Sequence, residues 1–188
     1  MKKNFNILMV GVGGQGIILA SDILTCAALY SGYDTKKSEI HGMSQRGGSV
    51  SSHIRFGEKI YSPVISRGAA DFLLSLEEME ILRWLSYIGP HTRIIFSTTR
   101  ILPLGVTDYP EGIAEEVRKK FPHTTVIDPE TLKEKLGHSK FLNSAILGLL
   151  SNYLSLDESS WIKAIEELVP QGTVDKNIHA FTIGKNLK

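Results

Sequence analysis

The chain has 188 residues, of which 42% are hydrophobic and 22% are charged, and its formal net charge is +1. This composition is typical of a globular protein, and the near-neutral balance indicates neither a nucleic-acid partner nor an acidic tail. The one cysteine, Cys26, excludes a disulfide within the chain and an iron–sulfur cluster held by this chain alone, because such a cluster usually needs four thiolates.

The first elements predict a strand, a helix and a second strand. The apolar run FNILMV predicts a buried strand that ends in the glycines of GVGGQG. It is too short and its continuation too rich in glycine for a signal peptide or a membrane span, so we expect a cytoplasmic protein without a membrane partner. Apolar residues at helical spacing predict a helix over 15–31, closed by Gly32, and a short strand follows at Thr35–Ser38.

The segment SVSSHIRF predicts the next strand. It alternates between two faces, with His53 and Arg55 on a side that we expect to meet solvent or a partner. The turn GEK and the run IYSPVI after it predict a hairpin. A hairpin in a chain of alternating helices and strands predicts a mixed sheet rather than a purely parallel one.

The remaining elements alternate between strands and helices. Strands are predicted at DFLLSL, RIIFST and TTVID, with a helix through Ile81 to Ile88 and another that stops at Pro122. Asp128 and Pro129 predict a capped helix that ends at Gly137. Two C-terminal helices follow, with Ser139 and Asp157 as candidate caps. The predicted fold class is therefore α/β, a three-layer Rossmann-like domain over 1–188 with a mixed sheet and extra C-terminal helices.

The spacing Gly11, Gly13, Gly16 has the form G-x-G-x-x-G, which raises the question of dinucleotide binding. A glycine turn between a strand and a helix leaves backbone N–H groups directed at an anion. A nicotinamide cofactor would also need an acid after the second strand, and Asp34 and Glu39 are candidates. The same glycines also occur where a strand simply packs tightly on a helix, so both interpretations stay open.

A second glycine loop, EIHGMSQRGG, favours a different site. It concentrates a guanidinium, an amide and three glycines where a plain dinucleotide fold continues directly into its next element. Contact with a ligand or a partner is one interpretation, since loops carry positioned polar groups. The other is that Arg46 and Glu39 only pair and order the loop. We expect both loops to lie side by side at the carboxyl ends of the strands, with Arg46 available to a carboxylate or phosphate.

The two loops, in GVGGQGIILASDIL and SEIHGMSQRGGSVSSHIRFG, resemble the gamma domain of the 2-oxoacid:ferredoxin oxidoreductases. Within that family the chain is most similar to the stand-alone small beta subunits of the indolepyruvate-type enzymes. Further segments resemble the family in the same order along the chain: DFLLSLEEMEILRWL, then GHSKFLNSAILGLL with Asn143, then NIHAFTIG. The similarity extends over almost the whole chain.

The resemblance implies a subunit that is inactive alone. A large alpha subunit would carry thiamine diphosphate, magnesium and the iron–sulfur clusters, and the complex would take a 2-oxoacid, coenzyme A and ferredoxin. No residue of this chain is predicted to be catalytic or to bind a metal, and the isolated chain is expected to have no oxidoreductase activity and to self-associate. The predicted contact residues are Gly11, Gly13, Gly14, Gln15, Gly16, Glu39, His41, Gln45, Arg46, Gly47 and Gly48. The alternatives are a free-standing NAD(P)-dependent oxidoreductase and an assembly module that only completes a partner's site.

Single residues elsewhere carry weaker signals. Cys26 lies among apolar neighbours, which favours an inert thiol over a nucleophile. Asn143 precedes an apolar helical run, where a hydrogen bond to the backbone and a role in the site are both open. Trp84 and Trp161 are interpreted as anchors of the core or of an interface.

Overall fold

The computed structural model describes residues 4–42, 47–103, 105–137 and 139–187. Its strands are β1 (Phe5–Val12), β2 (Asp34–His41), β3 (Ser49–Gly57), β4 (Ala70–Ser75), β5 (Ile88–Ser97) and β6 (Thr124–Ile127). Its helices are α1 (Ile17–Tyr30), α2 (Glu80–Arg83), α3 (Ile113–Lys120), α4 (Pro129–Leu136), α5 (Leu142–Ser151), α6 (Glu158–Leu168) and α7 (Val174–Lys185).

The strands form one mixed sheet in the order β2-β3-β1-β4-β5-β6. β1, β4, β5 and β6 pair in parallel, whereas β3 pairs antiparallel with β1 on one side and with β2 on the other. β2 therefore runs in the same direction as β1 but is separated from it by β3. The prediction of a mixed sheet is confirmed.

Helices cover the sheet on both faces. Along β1, Ile7 and Met9 belong to a core shared with α1, α5, α6 and α7, while Leu8 and Val10 belong to a second core shared with α2 and α3. Burial on both faces explains why β1 has no polar side chain from Ile7 to Val12, since such strands have no solvent-facing side. The three-layer Rossmann-like prediction is confirmed.

The C-terminal helices pack unusually closely. A Cβ at Gly148 of α5 would overlap the carbonyl oxygen of Phe181, and one at Gly184 of α7 would overlap that of Ala145. The two helix backbones are therefore in direct contact. Trp161 of α6 is buried against the ring of Phe181, with ring centroids 5.5 Å apart, which confirms its interpretation as a core anchor.

The extra C-terminal helices are confirmed, and α7 adds a third to the two predicted. Its buried residues are Asn177, Ala180, Phe181 and Gly184. Three of these four are small or polar, so the hydrophobic period that reveals a helix is weak here.

The predicted hairpin after β3 is wrong. Both edges of β3 are already occupied, by β1 and β2, so the segment IYSPVI has no strand to pair with. It forms no strand and is held by a hydrogen bond from the Ile60 N–H to Asp34 at 2.8 Å and by one from Arg55 to the Ser62 carbonyl at 2.9 Å. The hairpin of this region is β2–β3 instead.

Element boundaries differ at two further places. The predicted helix through Ile81 to Ile88 is only the short α2 followed by a 3₁₀ turn at Leu85–Tyr87, because Ile88 already begins β5. β2 extends beyond the predicted Thr35–Ser38 and includes Glu39 and His41. By contrast α4 agrees with its prediction: the Asp128 carboxylate accepts from the N–H groups of Glu130 and Thr131, and Gly137 closes the helix in the left-handed region.

Candidate functional site

The first glycine loop is a tight turn between β1 and α1. Gly14 and Gly16 have φ values of 99° and 79°, a backbone conformation that side chains rarely adopt. The first intrahelical bond of α1 runs from the Ala20 N–H to the Gly16 carbonyl at 2.9 Å. The earlier N–H groups of the helix have no intrahelical acceptor and point out of its end, toward the carboxyl edge of the sheet.

The Gln15 side chain fixes this turn to the sheet. Its amide nitrogen donates to the Leu76 carbonyl at 2.7 Å, and its oxygen accepts from the Val12 N–H at 2.9 Å. Gly11 makes room for it, because a Cβ there would lie 2.7 Å from the Gln15 oxygen. The amide therefore joins the ends of β1 and β4, and contact between Gln15 and a ligand stays a prediction.

The second glycine loop contacts the first. The Gly13 N–H donates to the Gly48 carbonyl at 2.8 Å, and the Gly47 N–H approaches the Gly13 carbonyl at 3.5 Å. The prediction that the loops lie side by side at the carboxyl ends of β1 and β2 is confirmed for these residues. The cause is the β2–β3 hairpin, which returns the chain to β1 where Ser49 lies opposite Val12. Gln45 and Arg46 lie outside the described residues, so their roles stay predictions.

A cleft of about 820 Å³ opens beside the glycine turn, between α1 and the ends of β2 and β3. Its lining is mostly apolar or glycine, with one carboxylate and one imidazole. The lining residues are Val12, Gly13, Gly14, Gly16, Ile17, Ile18, Leu19, Asp22, His41, Gly42 and Val50. A cleft of this kind suits a ligand with an apolar portion and an anionic or carbonyl group near the free N–H groups.

The predicted acid Glu39 forms an ion pair. Lys37, which is largely buried, contacts Asp22 of α1 and lies 3.0 Å from a Glu39 oxygen. Burial lowers the pKa of Lys37, but its hydrogen bonds with Asp22 and Glu39 outweigh burial and leave that pKa above its usual value. Lys37 therefore stays charged and holds both carboxylates at the side of the cleft. The expected partner of Glu39, Arg46, cannot be compared because it lies outside the described residues.

Asn143 belongs to the glycine turn although it is distant in sequence. Its amide nitrogen donates to the Gly16 carbonyl at 3.5 Å, and its oxygen accepts from the Ser144 N–H at 2.9 Å. A Cβ at Gly16 would lie 2.7 Å from that amide nitrogen. Of the two interpretations left open, the hydrogen bond to the backbone is confirmed, and its acceptor lies in the predicted site.

His53 differs from its prediction. Its side chain is buried, its Nδ1 accepts from the Ile65 N–H at 3.2 Å, and its ring packs edge-on against Trp84 and Tyr87. Burial lowers the pKa of His53. The segment after β3 covers the side of the strand that was expected to face solvent or a partner. Cys26 is half-buried, and burial raises the pKa of its thiol, which agrees with an inert cysteine.

Sequence reasoning missed three buried acids that directly follow β4. Glu77, Glu78 and Glu80 are 1%, 0% and 4% exposed, and they adjoin the Leu76 carbonyl that Gln15 binds. The signal was visible in DFLLSLEEME, where three carboxylates follow an apolar strand at the ligand-binding edge of a sheet. In the described residues no group of three or more His, Cys, Asp or Glu side chains is arranged to hold a metal ion.

Comparisons with known proteins cover nearly the whole chain. The family described as "Pyruvate ferredoxin/flavodoxin oxidoreductase" matches residues 6–187. The chain is 36% identical to indolepyruvate oxidoreductase subunit IorB of Archaeoglobus fulgidus, over 96% of this chain and 94% of that one. It is 26% identical to 2-oxoglutarate synthase subunit KorC of Methanothermobacter marburgensis, over 100% and 97%.

A solved structure agrees with these relatives. The keto/oxoacid ferredoxin oxidoreductase gamma subunit of Geobacter sulfurreducens superposes with a TM-score of 0.68 at 25% identity, and the match covers 96% of this chain and 95% of that one. No helix in the described part of the chain is both long and apolar enough to span a bilayer.

Proposed function

Because the chain belongs to the pyruvate ferredoxin/flavodoxin oxidoreductase family, we propose that it is the small subunit of a ferredoxin-dependent 2-oxoacid oxidoreductase of the indolepyruvate type. The observation that carries this proposal is the 36% identity along almost the full length of both chains. The contact between the two glycine loops supports it, since the carboxyl edge of an open sheet is where such folds bind ligands.

The proposed reaction needs a second subunit. An arylpyruvate such as indolepyruvate would lose its carboxylate as carbon dioxide, and its acyl group would join the sulfur of coenzyme A. The two electrons released would pass singly to two molecules of oxidised ferredoxin. One cysteine cannot supply the four thiolates of a cluster, so the iron–sulfur clusters belong to the large alpha subunit in this proposal. Thiamine diphosphate and magnesium are assigned there as well.

This chain would contribute binding and orientation. The turn of Gly11, Gly13, Gly14 and Gly16 would direct the first N–H groups of α1 at an anionic or carbonyl group of coenzyme A or of the partner's cofactor, while the Gly13 N–H stays bonded to the Gly48 carbonyl. The apolar part of that ligand would lie in the adjoining cleft, near His41. The remaining proposed contacts belong to Gln15, Glu39, Gln45, Arg46, Gly47 and Gly48. Of these, Arg46 would supply up to five donors for a carboxylate or phosphate. The chain would act as one gamma-type domain over 1–188, in the cytoplasm.

The nicotinamide alternative has less support. In a plain dinucleotide fold the second strand lies beside the first, and its terminal acid is free to bind the ribose. Here β3 separates β2 from β1, and Glu39 is paired with Lys37. We therefore expect no NAD(P)H binding by the isolated chain in a fluorescence titration.

The test is co-purification of the chain with a large subunit from the same organism. The complex should oxidise indolepyruvate faster than pyruvate or 2-oxoglutarate, with coenzyme A required and ferredoxin as acceptor, while the isolated chain should be inactive. The large subunit alone, without this chain, is the control. Absence of any binding partner, or activity of the isolated chain with NAD(P), would overturn the proposal.

Variants of Arg46 distinguish a subunit that binds a ligand from one that serves only assembly of the complex. In the complex, Arg46→Lys keeps the charge but removes the planar fork, so turnover should fall while assembly survives. Unchanged turnover and substrate affinity in Arg46→Lys and Arg46→Ala complexes would favour a purely structural subunit.

A further inference from the structure

The three carboxylates after β4 are buried where charged groups are costly unless they are paired. Their partners come from three different segments of the chain. Glu77 accepts from the Tyr109 hydroxyl at 2.6 Å and from the Ile101 N–H at 3.1 Å, while an oxygen of Glu78 accepts from Arg100 at 2.7 Å. These two carboxylates hold the long segment between β5 and α3 against the end of β4.

The Glu80 carboxylate contacts a different part of the chain from the other two acids. One of its oxygens accepts from Arg83 at 2.8 Å, and the other accepts from the Ser49 hydroxyl at 2.5 Å. Ser49 is the first residue of β3 and directly follows the second glycine loop. A carboxylate that is 4% exposed therefore fixes the point where that loop rejoins the sheet.

The residue next to Ser49 connects the second glycine loop to the first. Gly48, next to Ser49, accepts the 2.8 Å hydrogen bond from the Gly13 N–H. The Glu77 carboxylate also fixes the backbone of Glu80, because it accepts a hydrogen bond from the Glu80 N–H at 2.8 Å. A short path of hydrogen bonds thus runs from the segment after β5, through the two acids, to both glycine loops.

We infer that Glu80 is a positioning residue for the proposed reaction: through Ser49 it sets the place of Gly47 and Gly48, the described end of the second glycine loop, against the first loop. This inference rests on the proposed function, because the loops are its proposed ligand contacts. Glu80 itself touches no substrate and transfers no proton. Its effect is geometric, and a small displacement of a binding loop lowers the rate far more than it lowers stability.

Four variants of the co-purified complex test the inference. Ser49→Ala and Glu80→Ala remove the hydrogen bond, whereas Ser49→Thr and Glu80→Gln retain a hydroxyl and an acceptor oxygen. We expect the alanine variants to lose about tenfold in kcat/KM with indolepyruvate and coenzyme A, because a loop displacement of about 1 Å can lower the rate by up to about a hundredfold. The Thr and Gln variants should recover most of that loss.

The matched control is Thr92→Val at the opposite end of the sheet. The buried Thr92 hydroxyl bonds the Ala70 carbonyl and accepts from the Gly89 N–H at 2.8 Å, so its removal also costs buried hydrogen bonds. It should lower the melting temperature comparably to Ser49→Ala while leaving kcat and both KM values unchanged. Equal kinetics of Ser49→Ala, Glu80→Ala and the control, measured below their melting temperatures, would overturn the inference.

Hydrogen exchange of peptides covering 11–16 and 47–52 gives a readout that is independent of turnover. Exchange should be faster in Ser49→Ala and Glu80→Ala than in Thr92→Val, because the Gly13 and Gly47 amides lose their support. If the wild-type complex oxidises no 2-oxoacid, the proposed function fails. The inference about loop position is then still decided by exchange, where unchanged protection would refute it.

Discussion

Glycine has opposite uses in two regions of this molecule. In the turn between β1 and α1, Gly14 and Gly16 supply a left-handed backbone that leaves N–H groups directed at a cleft. Between α5 and α7, Gly148 and Gly184 have ordinary backbone angles and instead remove the space between two helices. The first region uses glycine for conformation and the second for proximity, so substitutions should fail for different reasons.

The largest effect is expected where backbone meets backbone. In Gly184→Ala or Gly148→Ala the new methyl group would overlap a carbonyl oxygen that cannot move without separating α5 from α7. We expect a loss of about 3 kcal/mol or more in the free energy of unfolding, at or beyond the usual upper range for overpacking. Urea denaturation measures it. Gly172→Ala is the control, because a Cβ there meets nothing within 4 Å. If Gly184→Ala and Gly148→Ala were as stable as the control Gly172→Ala, the helices would not pack as described.

The glycine turn should respond through conformation first. Gly16→Ala places a Cβ at φ 79° and 2.7 Å from the Asn143 amide nitrogen, so it combines strain with a contact that a side chain can relieve. We expect a loss of about 2 kcal/mol, of which 1–2 kcal/mol is the cost of the left-handed backbone. Gly14→Ala, which meets nothing within 4 Å, should show the strain alone.

Asn143→Ala separates the two contributions in a double-mutant cycle. Combined with Gly16→Ala it should cost less than the sum of the single changes, because the shortened side chain no longer meets the new methyl group. Strict additivity in thermal denaturation would contradict the contact between α5 and the turn.

A smaller effect is expected for the side chain that fixes the turn. Gln15→Ala removes two hydrogen bonds: the one that the Gln15 oxygen accepts from the Val12 N–H and the one that its amide nitrogen donates to the Leu76 carbonyl. We expect a loss of about 1–2 kcal/mol from the part-buried groups left unpaired, with a fall in activity of the complex greater than in a variant of similar stability. Thr92→Val, which removes buried hydrogen bonds at the opposite end of the sheet, serves as that variant. Full activity of Gln15→Ala would mean that the turn keeps its conformation without the two hydrogen bonds of the Gln15 side chain.

The smallest loss of stability is expected at Gly137, a glycine outside both of the compared regions. Gly137 ends α4 with φ 78°, and a Cβ there meets nothing within 4 Å. Gly137→Ala should cost about 1 kcal/mol of left-handed strain and leave the activity of the complex unchanged, since α4 follows β6, which β4 and β5 separate from β1. Loss of activity without loss of stability would contradict this.

Local signals predicted most of the fold and the position of both loops. Asp128 and Gly137 delimit α4 through caps that act within a few residues, and the apolar run of β1 reports burial on both faces. The hairpin partner of β3 was wrong because strand pairing depends on which edge is free, and β2 and β1 fill both edges before IYSPVI is reached. His53 was misplaced for a different reason: the irregular segment that covers it has no periodic pattern from which its position could be predicted.

The site was predicted by residue type and completed by distant contacts. The adjacency of the glycine loops followed from strand direction, whereas the contact of Lys37 with Asp22 needed the position of α1, and the Asn143 contact needed α5. The acids after β4 were missed because three charges within four residues indicate a solvated surface. Only the fold shows that Ser49, Tyr109 and Arg100 converge on them.

The position of β3 in the sheet has a consequence for synthesis. Both strands that pair with β1 follow it in the chain, so β1 leaves the ribosome before either of them and cannot pair until residues 49–57, and then 70–75, have been made. During that interval the most continuously apolar strand has two open edges, while the β2–β3 hairpin can form by itself. Such exposed edges invite association with other chains, so the nascent protein is expected to depend on a chaperone most strongly before β4 emerges.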